Sequence, residues 1–322
     1  MICRMADFDA DDLVFRADTL SSGRTDGDLR RDVRDGVAQR IWRGVYLPAR
    51  DGAHGYEAQL EKYRATIRAA ALSGGDMRVI SHASALAVQR IPMLRPDLSK
   101  VHFTAEGSGK TTKRAVIHQA TLDGDVIEVD GLSVTTLPRS TCDHARMGTL
   151  EQAVCVLDAG MHAGVTEDQL AQQMARMRRG HRIAILRAAI PLADGLAESV
   201  GESLSRLVMV RHPLIPAPDL QVQITIDVGG QRRQVRADFG WRDQEGVLRL
   251  IGEFDGRFKY HRANPFGRDR LPEDVIYAEK LREDAIRDTG PHVVRWTWSD
   301  TQRPKVLHAK LIGALEVAGL IR

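Results

Sequence analysis

Three acidic side chains, Asp238, Glu253 and Asp255, carry the sharpest chemical signal in this sequence. They lie in two short runs of alternating polarity, Val235-Arg236-Ala237-Asp238-Phe239 and Leu248 through Asp255. The link between them, Arg242-Asp243-Gln244-Glu245-Gly246, is polar and contains glycine, which predicts a β-hairpin. Folding that hairpin about its midpoint sets Asp238 opposite Glu253, and strand alternation puts Glu253 and Asp255 on the face of Asp238. Directly opposed Cβ atoms lie roughly 4.5–5.5 Å apart, where like charges repel. A divalent cation, Mg²⁺ or Mn²⁺, relieves such repulsion, since it takes carboxylate oxygens together with phosphate and water. The bland alternative is the solvated face of an amphipathic sheet. Against it, the same strands carry Phe239, Trp241, Leu248, Leu250 and Phe254, so the acids border a core.

A helix expected over residues 196–207 offers a further acid. Its Glu198, Glu202 and Arg206 are spaced i, i+4, i+8 and share one face. They could form surface salt bridges along the helix, or turn one carboxylate toward the hairpin. Glu202, with Leu204 and Leu207 beside it, is the preferred candidate. After the hairpin, residues 257–268 mix cations with aromatics, including Arg257, Lys259 and Arg262, as a phosphate backbone and exposed bases require. A helix over about 272–288 brings Lys280 and Arg282, and a late strand follows at 293–298.

The elements that must position these groups belong to an ordinary globular chain. Its 322 residues are 43% hydrophobic and 28% charged, which excludes a disordered polymer and allows two or three domains. A net charge of only +3 means that any nucleic-acid partner is held by local patches. Cys3, Cys142 and Cys155 form no zinc or CxxC spacing, and three thiols cannot all pair, which favours a reducing, cytoplasmic setting. No apolar run reaches the ~18 residues of a membrane span, and the acidic start has no signal-peptide character.

Residues 1–50 read as helix, tight turn, helix and two-stranded ribbon, the order of a winged helix-turn-helix. Arg30, Arg31, Arg34, Arg40, Arg43 and Arg50 face only Asp32 and Asp35 over residues 30–50, so positive charge gathers on the second helix and the ribbon. Phosphate contacts from such residues supply affinity without sequence information; a helical domain with a solvated charged face is the alternative. Residues 51–165 form a middle α/β region. Its His82 and His102 sit among apolar neighbours with no acid or cysteine at ligand spacing, and are read as structural. Gly107 to Thr111 lacks the full phosphate-loop spacing and reads as an exposed turn. Residues 166–195 read as a helical linker with a basic cluster at Arg176, Arg178, Arg179, His181 and Arg182. Residues 196–322 hold the acids, and the fold class expected overall is α/β (α+β).

Two resemblances add to this. In Arg43-Gly44-Val45-Tyr46, Ser81-His82-Ala83-Ser84-Ala85, Val101-His102-Phe103-Thr104 and Gly131 to Thr136 leading to Arg139-Ser140-Thr141, the first half resembles AbiEi-type antitoxins and related actinobacterial regulators. That resemblance implies a promoter-binding repressor with a cognate toxin as partner. Residues 196–300 resemble the PD-(D/E)XK nuclease superfamily, in its very-short-patch-repair-endonuclease-like branch. Asp238 matches the isolated acid of the motif, Glu253 its second acid and Glu202 the helical acid of many members. The resemblance implies a Mg²⁺-dependent DNA endonuclease, with Arg257, Arg262 and Arg282 on the flanking backbone. One departure stands out, because Asp255 occupies the place of the motif lysine. Lys259 or Lys280 would have to supply its amino group; otherwise the domain binds DNA without cutting it.

Overall fold

In a computed structural model, residues 12–49, 55–74, 78–177, 180–228, 230–256 and 284–322 are described. The chain is mixed α/β and divides into two compact units. The described residues up to 156, with those of 163–188, form the first; the described residues of 157–162 and 189–322 form the second.

The first unit opens with β1 (Val14–Phe15), α1 (Arg16–Ser21) and α2 (Asp26–Arg34), then β2 (Ala38–Trp42) and β3 (Val45–Pro48). Thr25 starts α2 with a reciprocal cap: its hydroxyl accepts from Asp28 N at 3.2 Å, and its own N–H donates to the Asp28 carboxylate at 2.9 Å. The strands pair antiparallel in the order β1-β3-β2, and Arg43-Gly44 makes the β2–β3 turn, with Gly44 at φ +71°. Leu13, Ile41, Val45 and Leu47 bury their side chains with Ala65 and Ala69 of α3 (Tyr56–Leu72).

Next come β4 (Val79–Ile80), α4 (His82–Val88), β5 (Val101–Ala105), β6 (Lys110–Thr111), β7 (Ala115–Gln119), β8 (Val126–Val129) and β9 (Leu132–Thr135). They make a six-stranded sheet in the order β6-β7-β5-β4-β9-β8, parallel at β5/β7 and β4/β9 and antiparallel elsewhere. Helices α5 (Leu137–Ala145), α6 (Leu150–His162), α7 (Glu167–Arg176) and α8 (Ile183–Ala189) follow. Two members of the expected basic cluster are tied into this unit. Arg176 donates to Asp125 at 2.9 Å, and Arg182 to the carbonyls of Met147 and Gly148 at 2.8 and 2.9 Å. Arg178 and Arg179 lie outside the described residues.

The second unit runs α9 (Val200–Val210), β10 (Asp219–Val228), β11 (Gln231–Arg242), β12 (Leu248–Asp255), a helical stretch at 284–288, β13 (His292–Thr297), α10 (Trp298–Thr301) and α11 (Pro304–Val317). The sheet order is β10-β11-β12-β13, antiparallel except for the parallel pair β12/β13. On one face Phe239, Trp241, Leu250 and Trp296 pack with Val208 and Met209 of α9 and with Leu307, Leu311 and Leu315 of α11. A second cluster joins Val222, Ile224, Ile226, Ala237 and Ile251 to Ala285 and Ile286. Helix α9 sits close enough that a Cβ at Gly201 would run into the Phe254 ring, while the buried Trp296 indole donates to Ser205 Oγ at 2.8 Å. The helix begins later than its hydrophobic spacing predicts, because Ser199 caps it, accepting from Glu202 N at 3.2 Å. Glu198 thus precedes the helix instead of sharing a face with Glu202.

Candidate functional site

Strand register builds the candidate site as a row across the second sheet. Phe239 pairs with Gly252 and Gly240 with Ile251, so one step further along the hairpin Asp238 meets Glu253. On the other side, Leu220 pairs with Phe239 and Val222 with Ala237, which sets Gln221 beside Asp238. Glu253 is in turn level with Arg295 on β13. Gln221, Asp238, Glu253 and Arg295 therefore cross the four strands in line.

The alternation assumed from sequence breaks at this row. Leu220 and Phe239 pack in one core cluster, whereas Val222 and Ala237, two residues away along each strand, pack in the other. Residues two apart in a regular strand share a face. Gln221 has a left-handed backbone, φ +52°, which accounts for the switch on β10. Beside it, the Asp238 carboxylate reaches the β12 backbone and accepts from Phe254 N at 2.8 Å.

Each acid has a neighbour. Glu202, on α9, accepts from Glu198 N at 2.9 Å, Ser199 Oγ at 2.7 Å and Gln221 Nε2 at 2.9 Å, so it caps its own helix and joins the row through Gln221. Glu253 takes the Arg295 guanidinium at 2.7 and 2.8 Å. Asp255 is level with Thr297 on β13. Among the described residues no three His, Cys, Asp or Glu side chains group to hold a metal ion. The row thus sets Asp238 and Glu253 on neighbouring strands, with Glu202 joined through Gln221. Two hard oxygen donors still suit Mg²⁺, which is commonly bound by one or two carboxylates plus phosphate and water. Lys259, Lys280, Arg257, Arg262 and Arg282 lie outside the described residues. The Glu202–Arg206 salt bridge considered from spacing is replaced by another pair: Arg206 donates to the fully buried Asp158 at 3.0 Å. Burial, outweighing Arg206, raises the Asp158 carboxyl above its ordinary value.

In the first unit, Arg30, Arg31, Arg34, Arg40 and Arg43 are all exposed. Arg31 pairs with Asp28 at 3.1 Å and Arg34 with Asp35 at 3.0 Å, while Arg40 Nε donates to the Trp42 carbonyl at 3.3 Å. Surface pairs of this kind contribute little to stability.

Sequence reasoning passed over a second constellation in the same unit. His82 (α4), His102 (β5) and His118 (β7) stack, with ring centroids 3.7 Å apart for His82–His118 and 5.3 Å for His102–His118. His102 Nδ1 and His118 Nε2 are 3.0 Å apart. His82 is 1% exposed, its Nε2 has no hydrogen-bond partner, and its backbone is left-handed at φ +52°. That nitrogen lies 3.9 Å from Asp143, which accepts from Arg139 at 2.7 Å and Arg146 at 2.9 Å. Burial works to raise the Asp143 carboxyl, yet its charged neighbours, Arg139 and Arg146 among them, bring it below the usual carboxylate range. Arg139 continues to Asp125 at 3.0 Å, which also binds Arg176 and Gln173. A signal was present in the histidines themselves, but they come from separate elements and only the sheet order brings them together. Nearby Cys142 is buried and its thiol is pushed up to about 12, mainly by that burial, so it is not a nucleophile.

No family model matches the chain. It is 28% identical over 294 residues to the uncharacterized protein Rv2248 of Mycobacterium tuberculosis H37Rv, covering 89% of this chain and 95% of the relative. The uncharacterized protein MT2308 of M. tuberculosis CDC 1551 matches with the same identity and coverage. Among the described residues no helix is long and apolar enough to cross a membrane.

Proposed function

We propose that this chain is a DNA-binding protein whose second unit carries a metal-dependent endonuclease site of the PD-(D/E)XK kind. The observation that carries the reading is the register row, in which Asp238 and Glu253 occupy neighbouring positions on β11 and β12 with Glu202 joined through Gln221. The order α9, β10, β11, β12, helix, β13 is the one the resemblance implies. Asp238 and Glu253 would hold Mg²⁺ or Mn²⁺, which when bound polarises a phosphate oxygen and lowers the pKa of its water. The chain's own residues do the rest. Gln221 fixes the Glu202 carboxylate, and Arg295, level with Glu253, offers a permanently charged guanidinium to a phosphate. In the first unit, α2 and the β2–β3 ribbon would act as a winged helix, with Arg30, Arg31, Arg34, Arg40 and Arg43 on the phosphate backbone.

The test is nicking of supercoiled plasmid by the purified full-length chain in Mg²⁺ or Mn²⁺. Nicking that is lost in Asp238→Asn and Glu253→Gln supports the reading; nicking equal in wild type and both variants removes these residues from it. A second reading, an AbiEi-like repressor or antitoxin with a non-cutting nuclease fold and a cognate toxin, is favoured by two observations. Asp255 stands at the motif lysine, and Glu253 is already neutralised by Arg295. Site-specific footprints upstream of its own gene, without cleavage in any divalent metal, would select it.

A further inference from the structure

The histidine stack of the first unit has no part in the chemistry above, and its geometry is built around protons. His102 Nδ1 and His118 Nε2 face each other at 3.0 Å, a separation at which one nitrogen donates and the other accepts, so the pair holds one proton between them. His82 lies flat on His118, 3.7 Å between centroids and 16° between planes, leaving its buried Nε2 unpartnered. Among the described residues no metal-holding group of three forms here.

We propose that the three stacked imidazoles form an acid-sensitive latch: uncharged, they hold α4 against β5 and β7, and taking up protons forces that junction open. The surrounding charges offset one another. From α5, Asp143 faces His82 and His118 but is already shared by Arg139 and Arg146, and Arg146 repels a charged His82 or His118. From the segment before β5, Asp97 favours a charged His102 and Lys100 opposes it. His144 of α5 adds a further half-buried imidazole that His102 would repel. The strand carrying His102 is also tied to neighbouring elements: the His102 backbone N–H donates to Ser84 Oγ at 2.8 Å, and Ser84 bonds the Tyr63 hydroxyl of α3 at 2.7 Å.

Burial, the largest influence on each ring, holds His82, His102 and His118 below 6.5, with His118 at about 4 and His144 also at about 4. A depressed histidine binds its proton less readily folded than unfolded. Its stabilising share is therefore complete above about pH 6.5 and is lost as pH falls from there toward about 4. For His118 alone the folding equilibrium drops roughly 30-fold by about pH 5.

Peptide-resolved hydrogen exchange on the full-length chain, corrected for intrinsic rates, tests this at about pH 7.5 and about pH 5. Protection over 79–88, 101–105 and 115–119 should fall at least about tenfold, with β10 to β13 little changed. His118→Phe, which keeps a ring in the stack without a titratable nitrogen, should blunt the fall. If that variant does not fold, NMR titration of the wild-type imidazoles decides: midpoints well below 6.5 support the latch, and ordinary midpoints overturn it. Equal loss in both units, unchanged protection over the three segments, or a fall in His118→Phe equal to wild type also overturns it.

Discussion

The acidic row of the second unit and the histidine cluster of the first are built on opposite terms. In the row, Asp238 and Glu253 keep part of their surface while Glu202 is buried, and each is held by a neutral or partly exposed neighbour: a backbone N–H, a guanidinium or an amide. In the cluster, His82 and Asp143 are sealed from water, and Asp143 is clamped by two arginines. The first arrangement spends little on its groups, and the proposed site would exchange these neighbours for a metal and a phosphate. The second cannot release its groups without opening the fold. Chemistry on a substrate suits the row; response to protons suits the cluster.

Substitutions can break that contrast, and the largest effect is expected at Asp143. Asp143→Ala strands Arg139 and Arg146 beside a buried void and should lower the stability of the first unit by about 3–5 kcal/mol. Urea unfolding measures it, and a loss below about 1 kcal/mol would place this clamp among ordinary surface pairs. Next is Gly201→Ala. The new methyl meets the Phe254 ring, so α9 must shift, with a cost of about 1–3 kcal/mol confined to the second unit. A thermal melt together with hydrogen exchange over β12 checks both amount and place. Arg295→Met should cost about 1 kcal/mol or less, because the guanidinium is one-third exposed, and should strengthen Mn²⁺ binding by freeing Glu253. Calorimetry that finds Mn²⁺ binding unchanged or weaker would detach Glu253 from the metal. Smallest, Arg40→Gln or Arg43→Gln should each flatten the salt dependence of DNA affinity by about one phosphate contact, measured by fluorescence anisotropy across ionic strengths.

The units also differ in the sign of their response to acid. Asp158 has a raised carboxyl pKa, because burial outweighs Arg206. A raised folded value means that its cost to the second unit is present at neutral pH and eases as pH falls through that value. Falling pH therefore acts against the histidine cluster while relieving Asp158.

Legibility from sequence followed the reach of the forces involved. The antiparallel hairpin of β11 and β12, the helix at Tyr56–Leu72 and the turn at Arg43-Gly44 are local, fixed by periodicity and by glycine, and the structure places them as the pattern predicts. The start of α9 was missed because Ser199 offers a cap inside a run whose apolar spacing continues upstream. The switch of face at Gln221 left no mark, since glutamine is not a residue that advertises a left-handed backbone. The histidine stack was illegible for another reason. Residues 82, 102, 118 and 143 meet only because β5 lies between β4 and β7, a fact of strand order that no window of sequence contains.

The most direct measurement is an anomalous difference map from crystals soaked in Mn²⁺. The account predicts a peak between the Asp238 and Glu253 carboxylates, with Arg295 drawn off Glu253. A map with no peak in the second unit, and Arg295 still seated on Glu253, would contradict it.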